Sequence, residues 1–207
     1  MYYTIENLQQ EYYQRQKIYG RNLVESDDSY MTDLFPTLFR FLAINPQNCN
    51  RPKIDLLFTL VGFADEVSLL ATCLLKPKKV ILVHSSMSQL NAYRIEAAVL
   101  DAFADLEDLA SEPTPEIDFL LLEELTADKI VAAFKQRWEK LDDEGHNMGQ
   151  VAIDLTGGTS VMSVSGLMAM RERGVENQYY LDFESNQDTN LPIPGTNRLT
   201  SLIFNQN

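Results

Sequence analysis

The chain has 207 residues, 45% of them apolar, which is enough for one full hydrophobic core and unlike a disordered tail or a mini-protein. A formal charge of -13 excludes holding long DNA or RNA through many phosphate contacts, which needs dense lysine and arginine, yet leaves room for a compact anion held by backbone amides. Two cysteines, Cys49 and Cys73, show no CxxC or Cys/His ligand spacing, so neither a disulfide framework nor a metal site is expected, and apolar runs such as Leu56 to Val61 are too short to cross a membrane.

Residues 1–50 differ in texture from the rest. Tyr2, Tyr3, Ile5, Leu8, Tyr12 and Tyr13 predict one helix, and Met31, Leu34, Phe35, Leu38, Phe39 and Leu42 predict a second, interrupted at Pro36. This segment, residues 1–50, is expected to be a helical appendage to the domain formed by residues 53–207, either a cover packed over one edge of the sheet or a linker or dimerisation element.

From Lys53 onward, short apolar runs alternate with amphipathic stretches. The runs are Leu56 to Val61, Val80 to Val83, Ile117 to Leu122, Val151 to Leu155, Tyr179 to Phe183 and Leu199 to Phe204, each reading as a strand covered on both faces. Between the first five lie helical patterns over Asp65 to Leu75, Ser88 to Leu106, Thr126 to Leu141 and Thr159 to Arg173, with Ser88 and Thr126 as N-caps. Leu106 to Glu116, with Pro113 and Pro115, and the polar run Asp142 to Gly149 around His146 read as solvated loops. Strict alternation implies right-handed βαβ crossovers and a parallel sheet. The last run follows a loop, Ser185 to Asn197, that holds Pro192, Pro194 and Gly195 but no helical period, so its strand is expected to be antiparallel. The predicted class is α/β: a Rossmann-like, mainly parallel six-stranded sheet with an antiparallel last strand, plus the N-terminal helical appendage.

In a doubly wound order the first and fourth strands are neighbours at the point where winding reverses, and ligands sit there at the carboxyl ends. Both strands end in glycine turns, Val61-Gly62-Phe63-Ala64-Asp65 and Asp154-Leu155-Thr156-Gly157-Gly158-Thr159-Ser160. The glycines are expected to take positive φ and let backbone approach a ligand, with both following helix N-termini offering amide donors to phosphate. Three hydroxyls in the second turn, Thr156, Thr159 and Ser160, add to that chemistry. Other phosphate and hydrolase fingerprints are missing. The first turn lacks GxGxxG, no lysine of a GxxxxGK[ST] loop follows Gly157 or Gly158, and no GxSxG elbow occurs. Small residues in the last helical pattern, Ser163, Ser165, Gly166 and Ala169, permit close approach of a second subunit.

Leu56 to Gly62, Val80 to Ser85 and the D-x-T-G-G-T turn at Asp154 to Thr159 resemble the CRISPR-associated Rossmann fold (CARF) domains, over residues 53 to 204. The resemblance implies a homodimer whose paired cleft binds a cyclic oligoadenylate, commonly the tetra-adenylate ring, in type III CRISPR antiviral signalling. It implies cleft residues Gly62, Phe63, Ala64 and Asp65 after the first strand, His84 and Ser85 ending the second, and Thr156, Gly157, Gly158, Thr159 and Ser160 after the fourth. Many such domains carry lysine directly after the turn, where this chain has Ser160; phosphate contact then falls to amides and hydroxyls, helped by Arg94 or Lys76. No cofactor is implied. Partners beyond the ligand and a second copy are an effector domain or protein outside these residues, with no long nucleic acid and no membrane, and the N-terminus lacks a basic and apolar leader, so the expected location is the cytoplasm.

Two functions fit this reading. One is a binding module that passes a ligand-induced shift to an effector. The other is a ring nuclease that cleaves the cyclic activator without metal, by 2′-hydroxyl attack on the adjacent phosphate, with Ser160 and Thr159 as hydroxyl donors and His84 as acid or base. Gly158→Asp is expected to abolish anion binding by placing a carboxylate at the helix N-terminus, with the fold largely intact if the turn tolerates the side chain.

Overall fold

From residue 53 onward, apolar runs alternating with amphipathic stretches form strands and helices in turn, and among the described residues there are six strands and six α-helices. A computed structural model of the chain describes residues 5–19, 31, 34–45, 48, 51–106, 109, 112–142, 148–185, 193 and 195–202. Tyr2, Tyr3, Cys49, His146, Pro192, Pro194 and Phe204 lie outside the described residues. The strands are β1 (Leu56–Val61), β2 (Lys79–Ser85), β3 (Glu116–Leu122), β4 (Val151–Asp154), β5 (Asn177–Asp182) and β6 (Arg198–Ser201). The helices are α1 (Ile5–Tyr19), α2 (Phe35–Ala43), α3 (Asp65–Leu75), α4 (Gln89–Asp105), α5 (Ala127–Asp142) and α6 (Ser160–Glu172).

The sheet order is β3-β2-β1-β4-β5-β6, parallel throughout except for the antiparallel β5–β6 pair. Winding therefore reverses between β1 and β4, which is the doubly wound order. Alternate residues feed two cores: Leu57, Val61, Val80 and Leu82 face α2, α3 and α4, whereas Leu56, Phe58, Leu60, Ile81 and Val83 face α5 and α6. Phe58 is the anchor of the second core, its ring centroid 5.6 Å from that of Phe134 and 5.4 Å from that of Trp138.

Two local expectations change. Pro36 does not interrupt a helix: it sits in the first turn of α2, where the missing N–H has no carbonyl to meet and a fixed φ suits helix entry. Ser88 does not cap α4 with its side chain either. It closes a 3₁₀ turn, Ser86–Ser88, in which its Oγ accepts the Ser85 N–H at 3.1 Å.

The hydrophobic core runs across the stretch between residues 50 and 53. Leu34, Phe35, Leu38, Phe39 and Leu42 are buried in the same cluster as Leu57 of β1 and Tyr179 of β5. A second tie closes the edge of the sheet, whose outermost strand offers unpaired backbone groups. Asn48 Oδ1 accepts the Leu199 N–H of β6 at 2.9 Å, Asn48 Nδ2 donates to the carbonyls of Leu42 and Asn197 at 3.0 and 3.3 Å, and the Arg51 guanidinium donates to the Leu199 carbonyl. Residues ahead of β1 thus take the place of a seventh strand. Phe39→Ala should lower global stability by about 3–5 kcal/mol in a single urea transition; a loss under about 1 kcal/mol, or an early separate transition, would show that α2 folds apart from the sheet.

Candidate functional site

The β1 and β4 turns are locked together from below. Thr59 and Asp154 are direct partners in the β1–β4 register, both fully buried, and the Thr59 hydroxyl donates to Asp154 Oδ2 at 2.7 Å. The other carboxylate oxygen, Oδ1, accepts the Thr156 N–H at 3.1 Å and the Thr156 hydroxyl. Thr156 Oγ1 in turn accepts the Leu181 N–H of β5 at 2.7 Å. The first threonine of the turn is thereby committed to structure, which removes one of the three hydroxyls expected to face a ligand. Burial pushes the Asp154 carboxyl above its ordinary value, against the three hydrogen bonds that favour its charge.

The glycines answer to a different constraint from the one expected. Among the described residues the positive-φ glycines are Gly174 and Gly195, not those of the two turns. A Cβ on Gly62 would fall 1.8 Å from the Gly157 carbonyl oxygen, and one on Gly157 would fall 2.2 Å from the Leu60 carbonyl oxygen. The two turns cross in backbone contact, and only hydrogen fits between them. Gly158 is also closed: its Cβ would lie 2.8 Å from Leu60 Cδ1 and 2.9 Å from Leu60 Cβ. Gly158→Asp therefore strains the core beneath the turn and does not leave the fold untouched.

The crossed turns form one wall of a cleft of about 340 Å³ at the carboxyl ends of β1 and β4. Of the residues singled out in the sequence, Gly62, Phe63, Ala64, Ser85, Thr156, Gly157, Gly158 and Thr159 line it, and Asp65, His84 and Ser160 do not. His84 is buried, its Nδ1 3.0 Å from the Ser85 carbonyl and its ring edge-on to Phe119, so it faces β3 and not the cleft. Ser160 is exposed as the first residue of α6. Lys76 lies at the other end of α3, near Glu112, and Arg94 is on α4 outside the cleft lining.

The two helix N-termini are not equivalent. The first turn of α3 carries Asp65 and Glu66, both buried, and the Tyr12 hydroxyl of α1 donates to Glu66 Oε2 at 2.8 Å. Carboxylates already satisfy the positive end of that dipole. The first turn of α6 holds no acid. Thr159 caps it, accepting the Met162 N–H at 3.4 Å, and the exposed hydroxyl keeps its own proton to donate. Of the two helix N-termini at this end of the sheet, that of α6 is thus the one free of carboxylates in its first turn.

Several lining residues escaped the sequence reading. Met87, Leu125, Met162, Tyr180 and Phe183 supply an apolar and aromatic surface facing the glycine turns. Tyr180 had a signal, since it is the exposed member of a strand whose neighbours Tyr179 and Leu181 are buried. Asn91 had none: from α4 its Nδ2 donates to the Gly62 carbonyl at 2.9 Å and pins the first turn. Apart from Tyr180, no titratable side chain lines the cleft among the described residues.

No protein-family model and no curated protein matches the sequence. Among solved structures, Can2 from Sulfobacillus thermosulfidooxidans in complex with cyclic tetra-adenylate aligns with 62% of this chain and 32% of its own length, at 17% identity and a TM-score of 0.44. Csm6 of Enterococcus italicus, bound to cyclic hexa-2′-fluoro-hexa-dAMP, aligns with 72% of this chain and 42% of its own, at 12% identity and a TM-score of 0.45. The chain spans less than half the length of either.

Because folding raises the Asp154 pKa, the folded state holds that proton more tightly than the unfolded chain. Stability therefore falls as pH climbs from the ordinary value of 3.8 towards the raised one, and is level above it. Asp154→Asn removes this slope, so urea midpoints taken from about pH 4 to about pH 8 should shift in the variant's favour relative to wild type as pH rises. A constant difference across that range would show that Asp154 titrates as an ordinary carboxyl.

Proposed function

We propose that this chain binds a cyclic oligoadenylate, the tetra-adenylate ring, in the cleft above β1 and β4, and acts in the cytoplasm as a sensor in type III CRISPR antiviral signalling. The observation that carries the reading is the pairing, in one cleft, of an acid-free, threonine-capped helix N-terminus with aromatic side chains at Phe63, Tyr180 and Phe183. The first suits phosphate and the second suits nucleobases, whose stacking on aromatic rings contributes about 1–3 kcal/mol each. The resemblance of residues 53 to 204 to CARF domains, carried by the D-x-T-G-G-T turn, supplies the ligand's identity.

A homodimer belongs to this proposal. A cleft of about 340 Å³ is at the lower end of the range for one drug-sized ligand and takes only part of a tetranucleotide ring. The cleft is rimmed by exposed Phe63 and Met87, 59% and 74% accessible, and α6 presents Val161, Val164 and Met168 to solvent beside it. A second copy related by a two-fold axis covers that apolar rim and adds a second pair of turns for the rest of the ring. Binding without cleavage is preferred, because His84 is buried away from the cleft and, among the described residues, the lining carries no histidine, lysine or arginine.

Thr159→Asp tests the site. Aspartate caps helices as well as threonine does, so the variant should keep its unfolding free energy within about 0.5 kcal/mol of wild type, yet it places a carboxylate where phosphate would sit. Binding of labelled cyclic tetra-adenylate should fall by more than about 100-fold. Unchanged affinity in the folded variant would remove the site; recovery of linear products ending in cyclic phosphate from wild type would replace the sensor with a ring nuclease.

A further inference from the structure

Across β1 from α6, the wall of the cleft is made by the end of β2. Ser85, the last residue of that strand, and Ser88, which closes the 3₁₀ turn after it, both line the cleft and are only 8% and 3% exposed. Their hydroxyls are tied to each other and to the backbone: Ser88 Oγ accepts the Ser85 N–H at 3.1 Å, and the two hydroxyl oxygens lie 3.3 Å apart. Two hydroxyls carry two hydrogens, and one contact between them uses one. Whichever serine donates, one O–H is left over, and among the described residues no other acceptor meets it. A buried donor left unmet costs about 1–3 kcal/mol, so this hydrogen turns to the space that both serines border, the cleft.

Strand register fixes where the donor stands relative to the helix end that suits phosphate. Val61 pairs with His84, which brings Ser85 level with Gly62; on the other side of β1, Thr59 pairs with Asp154, which brings Gly157 level with Gly62 as well. Ser85 and Gly157 therefore flank the first turn, two strand spacings or roughly 10 Å apart. Phe63, exposed beside Gly62, and Met87, between the two serines in sequence, line the same stretch of the cleft. Asn91 holds this wall together, because its bond to the Gly62 carbonyl at 2.9 Å joins the first turn to α4, the helix that begins directly after Ser88.

We infer that the Ser85–Ser88 pair donates a hydrogen bond to a ring nitrogen of an adenine lying against Phe63, and so reads the ligand's base while α6 holds its phosphate. The inference rests on the cyclic oligoadenylate reading and deepens it. Two strand spacings set the donor at the far end of a nucleotide from its phosphate, beyond the ribose hydroxyls, which sit nearer to that phosphate than the ring nitrogens do. The apolar surroundings of Phe63 and Met87 suit a flat ring, and a neutral acceptor is less costly to bring against them than a phosphate oxygen.

Binding of labelled rings to the full chain tests this, using cyclic tetra-adenylate, its analogues built from 1-deaza-, 3-deaza- and 7-deazaadenosine, and cyclic tetra-2′-deoxyadenylate. Wild type should bind one deaza ring at least about tenfold more weakly than the parent, and the 2′-deoxy ring as well as the parent. The double variant Ser85→Ala/Ser88→Ala should lose about that factor on the parent ring and nothing further on the same deaza ring, whereas a merely structural disturbance weakens all rings alike. The wild-type series stands by itself if the double substitution unfolds the chain. Equal affinity of wild type for the parent and all three deaza rings, a loss confined to the 2′-deoxy ring, or an equal loss on every ring in the variant would overturn the base contact and leave the ligand reading in place. No binding of the parent ring by wild type would remove the ligand reading and this inference with it.

Discussion

The buried Asp154 carboxylate is the interaction on which the cleft depends. It sits at the last residue of β4, bonded on one side to Thr59 of β1 and on the other to Thr156, which is itself bonded to Leu181 of β5. Three adjacent strands are thus held at their carboxyl ends by one side chain. The turns above them are brought so close that Gly62 and Gly157 touch through their backbones. A buried carboxylate of this kind is costly to desolvate and is tolerated because its oxygens are met by donors on fixed strands. The D-x-T-G-G-T sequence is, in this light, a device for joining strands.

Charge placement follows the same economy of parts. An acidic chain offers no general field for anions, so local donors must do all the attracting. Of the two helix N-termini at the reversal of winding, α3 is filled by its own Asp65 and Glu66, and α6 is left open. Apolar and aromatic residues line the cleft beside the α6 N-terminus and lower the local dielectric there, which strengthens a hydrogen bond formed against them.

The N-terminal segment illustrates where pattern and packing part company. Its heptad-like apolar spacing over Leu34 to Leu42 was readable as a helix, and Pro36 looked like a break because position within the helix is invisible to spacing alone. Its contacts were not readable. Phe39 and Leu42 join the core of the sheet, and Tyr12 reaches Glu66 while Asn48 and Arg51 close the β6 edge through partners 54 to 151 residues distant. The same limit explains the misassigned glycines: the residue types were visible, but which backbone lay against Gly62 depends on the register of β1 against β4.

What the sequence determined by itself was the order of strands and helices along the chain, the mostly parallel sheet with its antiparallel last strand, and the glycine turns that end β1 and β4. Those follow from periodicity and connection rules, which are local properties of the chain. Only the tertiary structure decided that His84 turns towards β3, that Thr156 serves Asp154 and Leu181, that Tyr180 and Phe183 face the glycine turns, and that Lys76 stands at the opposite pole. Each of these is a matter of which side chains meet across the sheet, and that is set by strand register and helix packing between segments far apart in the chain.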